Sequence, residues 1–333
     1  MSAPPRSLRS IRAQGLPGRQ RGIALLVAIL LVALGTILAA TIAYENAMTA
    51  RRGAATFAFD ETLVISEGAE ALAAYGLRAV KKADPTTTNL TQAWAQPVGP
   101  LEIVPDVMLD ASLEDVQGRF NINSLVKDDG SGMPDPVAQA AFINLLQIVG
   151  LEPKWADFVI DWIDPSFTTS TPDGAEDSVY MGQNPPYVMP HKYITSTTEL
   201  LALPEFGRDR YMKLAPYITA LPPGVKVNIC TAPGAVLDAF MTGRREFSAD
   251  PDALAKNRAG APGCFPTASE YQAAFDSPDN YTKAQAQFAQ TSNYFRLTSH
   301  ITIGSAEFNL YSLLYREDSD GTVRPIQRSF SPD

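Results

Sequence analysis

Histidine and cysteine are scarce in this chain of 333 residues, and over one long span so are proline and charge. His191 and His300 are its only histidines. Neither stands in a nucleophile elbow or beside a cysteine, so a histidine-dependent catalytic centre has nothing to build on and a non-enzymatic role is expected. The only cysteines, Cys230 and Cys264, lack the paired spacing of a structural zinc site. No charge falls from Ile23 to Ala43, no proline from Ile23 to Ala83, and no acid precedes Gly22. No repeat of solenoid type is visible.

What fills the uncharged span is apolar. Its 21 residues would make a helix of roughly 30 Å, about the hydrocarbon thickness of a bilayer. Arg6, Arg9, Arg12, Arg19 and Arg21 all precede it, which places that side in the cytoplasm and everything beyond Ala43 across the inner membrane. Taking those five arginines from the formal charge of −9 leaves −14. A body that acidic repels phosphate backbones, so no nucleic-acid partner is expected. An exported body also makes one Cys230–Cys264 disulfide the natural reading, the alternative being two buried thiols.

Three fates are open to the apolar run. A secretory signal would be cut after Ala43, but its apolar core is normally shorter. A plain single-pass anchor would be left whole. A stem would continue into the body, and Tyr44 to Lys82 supports this: Phe57, Val64, Ala71, Leu72, Tyr75 and Ala79 recur at helical spacing among charged residues. Gly53, Gly68 and Gly76 weaken that helix by about 1 kcal/mol each relative to alanine.

Beyond Pro85 a turn-rich connection leads to extended candidates, LEIV from Leu101, VMLDASLED from Val107 and GRFNIN from Gly118, expected as a hairpin or meander. DDGSGMPDP at Asp128 to Pro136 is a linker signal. Helical patterns follow: PVAQAAFINLLQIVG capped by Gly150, then EPKWADFVIDWID, APGAVLDAFMTG and PTASEYQAAFDS. From Asn293 the alternation of strands returns, with turns at Gly304 and at Asp318. The expected fold is α+β: a long N-terminal helix plus an antiparallel sheet, interrupted by a large inserted all-α domain. The boundaries fall at 1–22 for a leader, 23–43 for the membrane helix, 44–128 and 290–333 for the two parts of the sheet domain, and 129–289 for the insertion.

The sharpest chemical constellation is IDWIDPSFTTSTPDGAEDSVY, which gathers Asp161, Asp164, Asp173, Glu176 and Asp177 in a turn-rich stretch. Carboxylates so concentrated repel one another, and a hard divalent cation such as calcium neutralises them; a solvated acidic loop is the other reading. The EF-hand spacing is absent. ITSTTELLALPEFGRDRYMKLAPYIT and VNICTAPGAVLDAF each look like a short helix pair around a turn, as in helix-hairpin-helix DNA binders. The glycine-hydrophobe-glycine hairpin of those units is missing, and the acidic charge favours a structural use.

A basic leader ending in Gly22, an uncharged segment at once and an amphipathic continuation resemble the start of type IV pilin-like proteins. That resemblance implies a prepilin peptidase cutting between Gly22 and Ile23, and methylation of the new Ile23 amine. Most such proteins carry Glu as the fifth mature residue; here it is Val27. Together with EDVQGRFNINSLV, DWIDPSFTTSTPDGAEDSVY, STTELLALPEFG and VNICTAPGAVLDAF, the chain resembles the K subunit of type II secretion systems, a minor pseudopilin. The resemblance implies a periplasmic body, assembly with the I and J minor pseudopilins and a place at the pseudopilus tip in protein export. It also implies calcium in the loop after DWID, with Asp164, Glu176 and Asp177 the best-matched ligands and Asp161 and Asp173 weaker ones. Pro165 to Phe167 depart from the pattern, where relatives tend to offer another acid. The alternative is a competence-type minor pilin that captures DNA.

Overall fold

The structure, a computed structural model, describes residues 21–129, 131–166, 174–241, 243–260 and 263–331. Helix α1 spans Arg21–Ala83. The chain divides into two compact units, Met1–Asp60 and Glu61–Asp333, each described by itself.

The described residues of the first unit are all helix. Its apolar side chains stay outside, from Ile23 at 64% exposure to Ile42 at 50%. Its threonines do not add free polar groups, because the hydroxyls of Thr36 and Thr41 donate back to the carbonyls of Ala33 and Ile37 at 2.8 and 3.0 Å. The surface left is one that lipid or other apolar helices can wet.

In the second unit α1 closes with Lys81 and Lys82 in its last turn, where cations meet the negative end of the helix dipole. Asp84 and Pro85 then end it: the Asp84 carboxylate accepts from the amides of Thr86 and Thr87, both at 3.0 Å. Strands β1 (Val98–Val104) and β2 (Val107–Asp115) form a hairpin. Near the C-terminus, β7 (Tyr294–Ile303), β8 (Ala306–Arg316) and β9 (Val323–Ser329) complete a five-stranded antiparallel sheet in the order β1-β2-β7-β8-β9. Period-two alternation sends Phe295, Leu297 and Ile301 of β7 inward, where they meet Leu77 of α1, Trp94, Leu109 and Leu314. Glu70 is also turned inward, 5% exposed. It is held by the Ser312 hydroxyl at 2.6 Å and by two nitrogens of Arg328 at 2.8 and 2.6 Å. These bonds outweigh burial and keep its carboxyl below the ordinary range.

Residues 116–293 leave the sheet after β2 and return at β7. The expectation of a third meander strand at GRFNIN is corrected here. Phe120–Asn121 is a two-residue strand, β3, in parallel register with Ile218–Thr219. Phe120, Ile122, Leu125 and Val126 belong to the core of the helical region, which therefore starts well before residue 129. The asparagines explain the misreading: the Asn123 amide donates to the carbonyls of Ile194 and Leu221, both at 2.8 Å, so side chains replace a strand ladder.

The helices that follow are α2 (Pro136–Ile148), α3 (Trp155–Ile163), α4 (Asp177–Met181) and α5 (Gly207–Leu214), before strand β4 (Ile218–Thr219). Strand β5 (Val227–Asn228), α6 (Gly234–Ala239), α7 (Pro251–Gly260), α8 (Ala268–Ala274), α9 (Pro278–Ala284) and β6 (Phe288–Ala289) complete it. The region is thus not all-α, since β3 pairs with β4 and β5 with β6, both parallel. Local signals set the helix ends: Asp135 caps α2 through the amides of Val137 and Ala138, and Gly150 after it takes a φ of +74°. Of the two expected helix pairs the first forms, as a 3-10 helix, Thr197–Ala202, with a Ser196/Glu199 capping box, followed after a turn by α5; the second does not, since VNICTAPGAVLDA is β5 followed by α6 alone. Cys230 and Cys264 form a disulfide, 34 positions apart in the chain.

Where the helical region meets the sheet, a buried polar knot joins them. The Asp115 carboxylate accepts from the hydroxyls of Thr231 and Ser292, both at 2.6 Å, and from the Asn228 amide at 2.9 Å. Asn228 also donates to Thr88 O at 2.8 Å, and Arg316 donates to Ser292 O at 2.6 Å and to the Thr88 hydroxyl at 3.0 Å. Segments far apart in the sequence thus share one set of hydrogen bonds.

Candidate functional site

Gly22 and Ile23 lie at the start of α1, both exposed and followed by a helix long and apolar enough to cross a membrane. Val27 is 50% exposed. The residues before Arg21 lie outside the described ones.

The acidic constellation forms in the second unit. Helix α3 arises because Trp155, Ala156, Val159, Ile160 and Ile163 form one buried face. Asp161 is fully buried at its end, and Asp164 caps it at 5% exposure. The Asp164 carboxylate accepts from the amide and hydroxyl of Ser166, both at 2.9 Å. Across the loop, Glu176 precedes α4 and Asp177 begins it, with Asp177 accepting from the Met189 amide at 2.9 Å. Burial raises the Glu176 carboxyl above its ordinary range; Asp161 adds to the rise, His191 opposes it, and Asp177 and Asp164 push further upward. Glu176 Oε1 is buried and takes no hydrogen bond from the described residues. The structure therefore brings Asp161, Asp164, Glu176 and Asp177 into one electrostatic field. Asp173 lies outside the described residues.

His191, from a proline-rich stretch, is folded against this loop, with Nδ1 3.0 Å from Asp164 O and Nε2 3.7 Å from Asp177. Nothing local announces it, since a proline-rich turn carries it back across 27 residues. Tyr180 is the other unforeseen member: it packs against Trp162 and Tyr187 with centroids at 5.4 and 5.6 Å, and its hydroxyl is buried without a hydrogen-bond partner among the described residues.

A hard cation fits the chemistry of these donors, which are carboxylate oxygens with one bare buried oxygen and mutual repulsion to relieve. Among the described residues, however, no three His, Cys, Asp or Glu side chains are grouped closely enough to hold a metal ion.

Comparison with known proteins matches both the architecture and the loop. The family model described as type II secretion system protein K matches residues 118–223, which include α3, the acidic loop and His191. The architecture is similar to that of a solved chain from the GspK-GspI-GspJ complex of enterotoxigenic Escherichia coli, with a TM-score of 0.73 at 23% identity, covering 85% of this chain and all of that one. Type II secretion system protein K of Pseudomonas aeruginosa is 29% identical over 327 residues, covering 93% of this chain and 92% of that protein. The Klebsiella pneumoniae protein of the same name is 30% identical over 322 residues, covering 94% and 97%. With 30% identity to a relative over 94% of its length, this chain belongs to the type II secretion system protein K family.

Proposed function

We propose that the chain is a minor pseudopilin that initiates or caps the pseudopilus tip, assembling with the I and J minor pseudopilins for protein export across the outer membrane. The observation that carries this is in the first unit: a helix whose apolar side chains from Ile23 to Ala43 are all left outside, beginning at Gly22 and Ile23. A prepilin peptidase would cut between them on the cytoplasmic face of the inner membrane, with methylation of the new Ile23 amine. The mature helix then exchanges lipid for neighbouring helices, both of which satisfy apolar surface. Val27 stands where most pilin-like chains carry a carboxylate for a neighbour's α-amine, so this subunit presents no acceptor for a subunit above it. The solved complex with a similar chain supports I and J as partners.

The mass and first residue of the mature protein test this. A chain beginning at methylated Ile23 and co-purifying with I and J is the expected result. A chain beginning at Met1 marks a plain anchor and one beginning at Tyr44 a cut signal, and either overturns the reading.

For the acidic loop, Asp164, Glu176 and Asp177 are the proposed calcium ligands, with Asp161 and Asp173 supporting. A site held at one hundred times its dissociation constant stabilises by about 2.7 kcal/mol, which corresponds to roughly 5–10 °C in Tm for a body of this size. The expected result is that chelator lowers the Tm of the wild type. The double variant Asp164→Ala with Glu176→Ala should start lower and no longer respond. Equal responses in the two proteins remove the metal from the account.

A further inference from the structure

A cleft of about 430 Å³ opens beside α7, away from the acidic loop. Its walls include Leu90, Ala235, Phe247 and Leu254, with Tyr217 and Arg258 among the polar members. Arg258 is 8% exposed. Its Nε donates to Phe265 O at 3.0 Å and its Nη2 to Ile229 O and Ala232 O at 3.2 and 2.7 Å, while Nη1 donates to no described group. No carboxylate pairs with it among the described residues. A buried guanidinium normally meets an anion, because carbonyls satisfy its hydrogens without cancelling its charge. Burial alone pulls its pKa down to about 10, with no charged neighbour acting on it.

We infer that this cleft binds a carboxylate that ends an apolar group, its oxygens on Arg258 Nη1 and the Tyr217 hydroxyl and its apolar part against Leu90, Phe247 and Leu254. The donor inventory selects the anion. Two other hydroxyls at the cleft are already committed, that of Thr91 to Asn89 and that of Ser248 to Asp238. One guanidinium nitrogen and one phenol without a partner among the described residues suit a monoanion with two oxygens; a phosphate group, with more charge and three free oxygens, would go underpaired. The apolar walls suit an aliphatic or aromatic body and disfavour a bare inorganic ion. The same chemistry occurs in a free organic acid and at the C-terminus of a peptide chain.

Both sources can be tried on the detergent-solubilised full chain by calorimetry and saturation-transfer NMR, with micelles alone as blank. The probes are 4-phenylbutyrate and acetyl-Ala-Ala-Phe with a free carboxylate, each against its carboxamide. At least one carboxylate should bind ten-fold or more tightly than its amide, and the arm that does so identifies the source. Arg258→Gln should erase that preference. Because this change also cuts three internal hydrogen bonds, Ala255→Trp serves as a second variant: Ala255 is exposed at the cleft, and the indole should block binding while Tm stays unchanged. Equal affinity for acid and amide in both arms, no binding by either acid, or undiminished binding in Ala255→Trp overturns the inference.

Discussion

Asp115→Ala is expected to lower the stability of the second unit by about 2–4 kcal/mol, seen as a fall in Tm of roughly 5–10 °C by circular dichroism. The carboxylate is the common acceptor for Thr231, Ser292 and Asn228, all of them buried. Asn228 keeps two other acceptors, Thr88 O and the Ser292 hydroxyl, both at 2.8 Å, so the loss concentrates on the two hydroxyls and on the Gln117 amide, which donates to the same carboxylate at 3.0 Å, and stays below the sum of four bonds. The pH dependence has a definite sign. Burial raises the Asp115 carboxyl above its ordinary value of 3.8 in spite of the hydrogen bonds. The native state then holds the proton more tightly than the unfolded chain does. Stability from this group is complete below that value and is lost as pH rises through the native pKa. Asp115→Asn should flatten that part of the stability profile. An alanine variant within 1 °C of the wild type would show that the knot does not hold the helical region to the sheet.

Gly234→Ala is expected to cost about 3 kcal/mol, although alanine is the better helix former by about 1 kcal/mol. A Cβ at position 234 would sit 2.2 Å from Phe247 O and 2.6 Å from Phe247 C, both backbone atoms that have no rotamer to yield. Nor can the 246–248 segment retreat. One turn further along α6, Asp238 accepts from the amides of Glu246, Phe247 and Ser248 at 3.1, 2.9 and 2.7 Å. Gly68→Ala is the internal control, since a Cβ at that helical position meets nothing within 4 Å and should gain up to about 1 kcal/mol. A Tm for Gly234→Ala at or above that of the wild type would refute the packing argument.

Elements governed by their own residues were legible in the sequence. The absence of proline and the helical spacing of apolar residues ended α1 within one residue of the expected Lys82, and alternation in NYFRLTSHITI drew β7 with its inward face. Gly150 closed α2 for the same reason. Elements governed by distant partners were not legible. GRFNIN has the look of a strand but spends its asparagines on carbonyls about 70 to 100 positions away, at Ile194, Leu221 and Pro222. His191 reaches the acidic loop through tertiary folding, which no spacing encodes. The same holds for Gly234, whose neighbour Phe247 comes from the next loop rather than from its own helix.

The register of β2 with β7 has one more consequence. Asp115, the last residue before the chain departs, pairs directly with Phe295, almost the first after its return. Departure and re-entry are therefore adjacent rungs of a single antiparallel ladder, a gap that a hairpin turn of a few residues could close. Whatever is spliced in there, of any bulk, leaves the pairing of the five strands untouched, so the sheet sets no limit on how large that excursion can grow.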